Sequence, residues 1–332
     1  MPIRCAPAGA SPLGRASGPP RGASPWTSST GGPAPAAVAN AGLADLARVS
    51  LELDGRRVSR PSRPETGGGV LDGLLYRDAP HRLDQRVRQV WGRRVFERYA
   101  ENPGAPVAVL VHGVGVSGRY WLPTAGRLAE RCSVYVPDLL GFGRSGRLPG
   151  RPTVRRLADL LEAWLDAAGH DRPDVVAANS FGCQFAVDLA AREPERVARL
   201  VLVGPTVDRR ARSLPRQLGR LALDVTREPP ALAAVQAVDY TLHVAKCGVA
   251  AFAEMLRDPI EASLPRVQAP TLVVRGGRDP VVPRAWAEEV AAALPRGRLV
   301  EVAGAPHAVN FAAPDALTGL ILGLLGLRER AA

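Results

Sequence analysis

The chain has 332 residues, 46% of them hydrophobic and 23% charged, enough to build one large buried core. Its formal charge of +11 carries no nucleic-acid signature: the arginines are spread along the whole chain, one of the 43 basic residues is a lysine (Lys246), and no DNA- or RNA-reading motif accompanies them. Four dispersed cysteines argue against a disulfide framework or a zinc site and predict free thiols in a reducing, cytoplasmic setting, and no apolar run approaches the roughly 18 residues that span a bilayer.

Residues 1–80 are dominated by Pro, Gly, Ser, Ala and Arg without hydrophobic periodicity, and read as a disordered leader that cannot offset its own ordering entropy. Pro2, Pro7, Pro12, Pro19 and Pro20 interrupt any apolar stretch of the kind a secretory signal needs. Residues 81–330 read as one domain. Val87–Trp91 and Arg94–Tyr99 are predicted strands, followed by a buried strand Val107–Val111, a Gly-rich turn and a helix around Tyr120–Cys132. Ser133–Val136 is a strand, and Thr153–Gly169 has apolar residues at helical spacing. Strand Asp174–Asn179, helix Phe181–Arg192 and strand Arg199–Val203 follow, and later strands Thr271–Arg275 and Arg298–Val302 flank a helix over Arg284–Leu294. Leu317–Leu327 reads as a C-terminal surface helix. This alternation predicts an α/β fold with a mostly parallel central sheet covered by helices on both faces. Between Thr206 and Pro265 there is no strand signal, which predicts a helical lid over the C-terminal sheet edge, where open α/β sheets place ligands.

The sharpest chemical signal is A-N-S-F-G, Ala178–Gly182, between a predicted strand and a predicted helix. A serine on such a tight turn is pushed out above the sheet edge, and small residues two before and two after keep other backbone clear. The plainer reading is that Ser180 caps the helix. A serine hydroxyl needs an adjacent base, and His307, in G-A-P-H-A-V-N-F, follows a strand at the same edge. Asp279, in R-G-G-R-D-P, follows another and could fix the imidazole tautomer. Asp208, past the strand that ends at Val203, is the alternative acid.

With V-L-V-H-G-V-G at 109–115 and P-D-L-L-G-F-G-R-S-G at 137–146, these motifs resemble the α/β-hydrolase superfamily over roughly Arg86–Leu327. The resemblance implies a Ser180–His307–Asp279 triad, an acyl-enzyme intermediate, and an oxyanion hole from the backbone N–H groups of Val114 and Phe181. His112 is then a structural member of its turn. Trp121 and Phe311, on the loops beside these motifs, are the candidate substrate-binding aromatics. A small-molecule carboxylic ester is the expected substrate, by analogy of fold, with no cofactor and no metal. Carbon–carbon bond hydrolases of ring-cleavage products share a similar elbow but tend to carry Trp after the histidine, where this chain has Ala308.

A reading of another class competes. Gly113, Gly115 and Gly118 fit G-x-G-x-x-G after a strand, with Asp138 ending the next one, the outline of a dinucleotide site. It leaves Ser180 and His307 unexplained, and Gly141, Gly143 and Gly146 repeat the pattern in the same chain. Arg209, Arg210, Arg212, Arg216 and Arg220 read as a solvated helix face, with an anionic substrate or surface as the alternative.

Overall fold

The computed structural model describes residues 79–244 and 246–327, so the predicted leader, apart from its last two residues, lies outside the described part. Eight strands form one sheet: β1 Asp84–Val90, β2 Arg93–Ala100, β3 Val107–Val111, β4 Ser133–Asp138, β5 Val175–Asn179, β6 Leu200–Val203, β7 Thr271–Gly276 and β8 Gly297–Val302. Their order is β1-β2-β4-β3-β5-β6-β7-β8; the two pairings of β2 are antiparallel and all the others parallel. The central strands V-A-V-L-V, V-V-A-A-N and L-V-L-V are runs of mostly apolar residues because both faces of a parallel sheet are covered. Edge strand β8 keeps only partial burial.

Side-chain alternation divides the core in two. Val109, Val111, Val176, Ala178, Leu200, Leu202 and Val273 point to one face and pack with helices α2 Val154–Ala168, α3 Gly182–Arg192 and α7 Arg284–Ala293. Ala108, Leu110, Val175, Ala177, Val201, Val203 and Leu272 point to the other face, which α1 Leu122–Leu128, the single turn α8 Val309–Ala312 and α9 Pro314–Leu324 cover. Helix α2 shows why such a segment is helical: Thr153 accepts the Arg156 N–H at 3.2 Å at one end, Gly169 with φ 74° closes the other, and Leu157, Leu161, Trp164 and Leu165 share the buried stripe between them. The predicted surface helix at the C-terminus is more deeply seated than expected: Leu317, Ile321 and Leu322 belong to the second core layer.

Between β6 and β7 the alternation is interrupted by three helices, α4 Leu214–Val225, α5 Pro230–Val244 and α6 Gly248–Arg257. Polar contacts seat this inserted segment on the domain. Asp239 accepts the backbone N–H and the hydroxyl of Ser117 at 2.8 and 2.7 Å and pairs with Arg119 at 3.2 Å. The lone lysine, Lys246, donates to the carbonyls of Gly143 and Ser145 at 2.6 and 2.8 Å. Cys132 and Cys183 are buried free thiols, and among the described residues no helix is long and apolar enough to cross a membrane.

Candidate active site

Ser180 follows the last residue of β5 and precedes α3, with φ of 54°. A left-handed backbone is rare for a residue with a Cβ and costs about 1–3 kcal/mol, so the surrounding structure must impose it. Two contacts do so. The Ser180 N–H donates to Val203 O at 2.9 Å, and its carbonyl accepts the Cys183 N–H at 3.0 Å. Gly182 lets the turn press on β3: a Cβ there would lie 2.6 Å from the His112 carbonyl oxygen. Helix α3 begins with Phe181 as its cap and has no side-chain capping bond, so Ser180 is not the helix cap of the plainer reading.

His307 and Asp279 sit on adjacent loops stitched together by backbone bonds, Gly277 N to Val302 O at 2.8 Å and Arg278 N to Ala305 O at 2.9 Å. Gly276 makes this approach possible, since a Cβ there would lie 2.0 Å from Pro306 O. Asp279 Oδ2 meets His307 Nδ1 at 2.8 Å, while its Oδ1 accepts the N–H groups of Val281 and Val282 at 2.8 and 3.0 Å. Nδ1–H therefore points at the carboxylate and Nε2 is left as the free position; it makes no hydrogen bond among the described residues. Burial opposes protonation of His307, but the Asp279 charge and hydrogen bond, with Asp224 and Glu228 behind them, raise it to about 9.

Ser180 and His307 both line a cavity of about 870 Å³. Its floor is Gly113–Val116 with Tyr120 and Asn179, and its walls come largely from α4 and α6, including Leu218, Leu221, Phe252 and Leu256. Behind the floor, the Tyr120 hydroxyl accepts the Gly113 N–H at 2.9 Å and donates to Asn179 Oδ1 at 2.7 Å, which ties the β3 loop to the elbow. His112 accepts the Leu139 N–H through Nε2 at 3.1 Å and donates from Nδ1 to Gly113 O at 2.9 Å. Burial lowers its pKa, so it stays neutral and spends both nitrogens on structure.

The structure brings Ser180, His307, Asp279 and Val114 to one place and sets Phe181 beside them, but not the two aromatics expected to touch substrate. Trp121 is fully buried, with its indole N–H on Val111 O at 3.1 Å, and Phe311 packs in the second core layer; neither lines the cavity. Both were placed by closeness in sequence, whereas side-chain direction within their turns sends them inward. Asp208 is also elsewhere, capping a short helical turn and pairing with Arg220 at 2.9 Å. The expected arginine face is partly neutralised by acids: Arg209 and Arg210 share Glu289, and Arg212 pairs with Glu261. In the Gly-rich turn, Tyr240 fills the space over Gly115, where a Cβ would lie 2.0 Å from its ring. Asp138 is buried on Gly118 N, Arg144 N and Arg98, so neither feature is left for a dinucleotide.

Asp224 and Glu228 were not singled out from the sequence. Asp224 Oδ1 accepts the His307 N–H at 3.2 Å and Glu228 Oε1 the Ala308 N–H at 2.7 Å. One local signal was available: an aspartate in the last turn of a helix opposes the macrodipole, so its presence there asks for a tertiary partner.

The alpha/beta hydrolase family model matches residues 108–319, and the chain belongs to that family. It is 33% identical over 251 residues to a pimeloyl-acyl-carrier-protein methyl ester esterase of Aromatoleum aromaticum, an alignment covering 65% of this chain and 96% of that one. A shorter match, 43% over 112 residues, is to the lipase LipV of Mycobacterium tuberculosis and covers 33% of this chain and 41% of that protein, so the chain spans less than half of that relative. Among solved structures, the enol-lactonase of Burkholderia xenovorans superposes with a TM-score of 0.62 at 25% identity, covering 73% of this chain and all of that one. Fold and relatives alike define the protein as a hydrolase.

Proposed function

We propose that this hydrolase cleaves carboxylic esters of small to medium apolar acids by two-step acyl transfer, with Ser180 as nucleophile, His307 as general base and acid, and Asp279 as the group that orients the imidazole. The observation that carries this reading is the meeting of a strained Ser180 and an unpaired His307 Nε2 on the wall of one apolar-lined cavity, with Asp279 at 2.8 Å behind the ring. Ser180 Oγ attacks the ester carbonyl carbon as Nε2 takes its proton; the imidazolium then protonates the leaving alkoxide, and water, giving a proton to His307, attacks the acyl carbon and frees the acid as the imidazolium returns that proton to Ser180 Oγ. Val114 and Phe181 supply the N–H donors for the oxyanion, each worth about 10²–10³ in rate. Helices α4–α6 act as the lid that shapes the acyl pocket, and the methyl ester esterase, lipase and enol-lactonase among the relatives support an ester as the bond cleaved. The dispersed thiols, Cys132 and Cys183 among them, favour a cytoplasmic setting.

The test is a series of p-nitrophenyl esters of increasing chain length, run beside a vinylogous carbon–carbon ring-cleavage product. Turnover of the esters with a preferred apolar chain length is expected. Turnover confined to the ring-cleavage product would overturn the choice of bond.

A further inference from the structure

Two carboxylates that no step of this reaction uses stand beside His307. Asp224 lies in the last turn of α4, and Glu228 four residues on, in the turn that leads to α5. Both line the cavity. Each also reaches the histidine loop, Asp224 at the backbone N–H of His307 and Glu228 at that of Ala308. The imidazole is thus held by its ring from the β7 loop and by its backbone from the inserted segment.

We propose that Asp224 and Glu228 are positioning residues of the hydrolytic site, an acid pair that holds the His307 loop by two backbone N–H groups and places one shared negative charge beside the imidazole. This rests on the reading of His307 as the general base. Two carboxyls that accept the N–H groups of consecutive residues in a half-dry site do not both ionise cheaply, so near neutral pH they carry one proton between them. Burial and then the Asp224 charge push Glu228 up to about 8, and burial raises Asp224 against the opposing pull of His307. The groups facing His307 are Asp279 from the β7 loop and this pair; facing the pair are His307, Asp279 and the buried phenols of Tyr240 on α5 and Tyr120 on the β3 loop.

A shared charge makes a prediction that two independent charges do not. Replacing one acid by its amide keeps the backbone acceptor and frees the other to ionise, so the charge survives. Only the double replacement removes it.

The experiment follows the His307 imidazole by nitrogen-15 NMR titration, independently of turnover, in the full chain and in Asp224→Asn, Glu228→Gln and the double variant. Its companion is the pH profile of kcat/KM on a p-nitrophenyl ester. The single variants should leave the His307 titration nearly in place, and the double variant should lower it by about one pH unit, moving the acid limb of the rate profile equally. A double variant with an unmoved titration, or single variants that shift it as far as the double does, would overturn the proposal. Should the double variant fail to fold, the Glu228 carboxyl followed by carbon-13 NMR decides: it should titrate well above the ordinary carboxylate range and drop by at least about one unit in Asp224→Asn. No drop would overturn the shared proton. Loss of the base role itself would show separately, as unchanged turnover in His307→Gln while the proteins that keep His307 titrate as stated.

Discussion

Asp279 grips His307 Nδ1 at 2.8 Å with one carboxylate oxygen while its other oxygen is held by the Val281 and Val282 N–H groups. Such an acid is fixed before any proton moves, which is what orienting an imidazole requires.

Replacing Asp279 by Asn therefore leaves the loop bonds largely in place but reverses the preference for the Nδ1–H tautomer. The expected loss in kcat is about 10³–10⁴. Asp208→Asn should keep near-normal turnover, because Asp208 faces Arg220 and Arg210 instead of the imidazole. Steady-state kinetics on one ester compares the two variants, and the opposite ranking would reassign the acid.

Gly204 brings the chain close against the histidine ring. Its φ is +56°, and a Cβ there would lie 2.8 Å from His307 Cε1. Gly204→Ala should lower kcat at least tenfold through displacement of the ring, with KM little changed, since a misplacement near 1 Å costs about 10²-fold. Gly219, inside α4 with open space at its Cβ, is the control. Gly219→Ala should raise stability by about 0.5–1 kcal/mol and leave kcat unaltered, as thermal melts and initial rates will show.

Which parts were legible from sequence follows from how local each signal is. The elbow could be read because strand, turn and helix around Ser180 are contiguous, and the order Ser180, Asp279, His307 because each follows a recognisable strand. Trp121 and Phe311 could not be placed, because nearness to a loop says nothing about which core layer a ring enters. Asp224 and Glu228 were missed for a related reason: their partners lie 83 and 80 positions away and are backbone groups, which no side-chain motif records.

The walls of the cavity should set chain-length preference. Leu221 and Phe252 project from α4 and α6 toward the space above Ser180. Each methylene gained or lost in such a pocket is worth about 1–3 kcal/mol, so Leu221→Trp and Phe252→Ala should move the preferred ester length in opposite directions by tens to hundreds of fold in kcat/KM. Serine labelling by a small phosphonate should stay within about threefold of the parent rate. A flat ester profile in both variants would place the acyl pocket elsewhere.

Stability and activity should run in opposite directions with pH. His307, raised from 6.5 to about 9, holds its proton more tightly folded than unfolded, so it contributes stability below pH 6.5 that is lost as pH rises through 9. Glu228, raised from 4.5 to about 8, acts with the same sign: between those values the folded state binds more protons, and stability falls as pH rises. Melting temperature should therefore decline from pH 6 to pH 9, and Glu228→Gln should flatten the decline. With His307 as the proposed general base, turnover needs the neutral imidazole, so kcat/KM should climb with pH toward about 9 over the same interval.

The central claim is that Ser180 is the nucleophile, and a fluorophosphonate reads it directly. Incubating the full chain with the probe, followed by intact mass measurement and peptide mapping, should show one phosphonyl adduct, on the peptide containing Ala178–Gly182 and at Ser180. Labelling and ester hydrolysis should vanish together in Ser180→Ala, with the melting temperature within a few degrees of the parent. An adduct mapped to another residue, or undiminished turnover in a folded Ser180→Ala protein, would contradict the account.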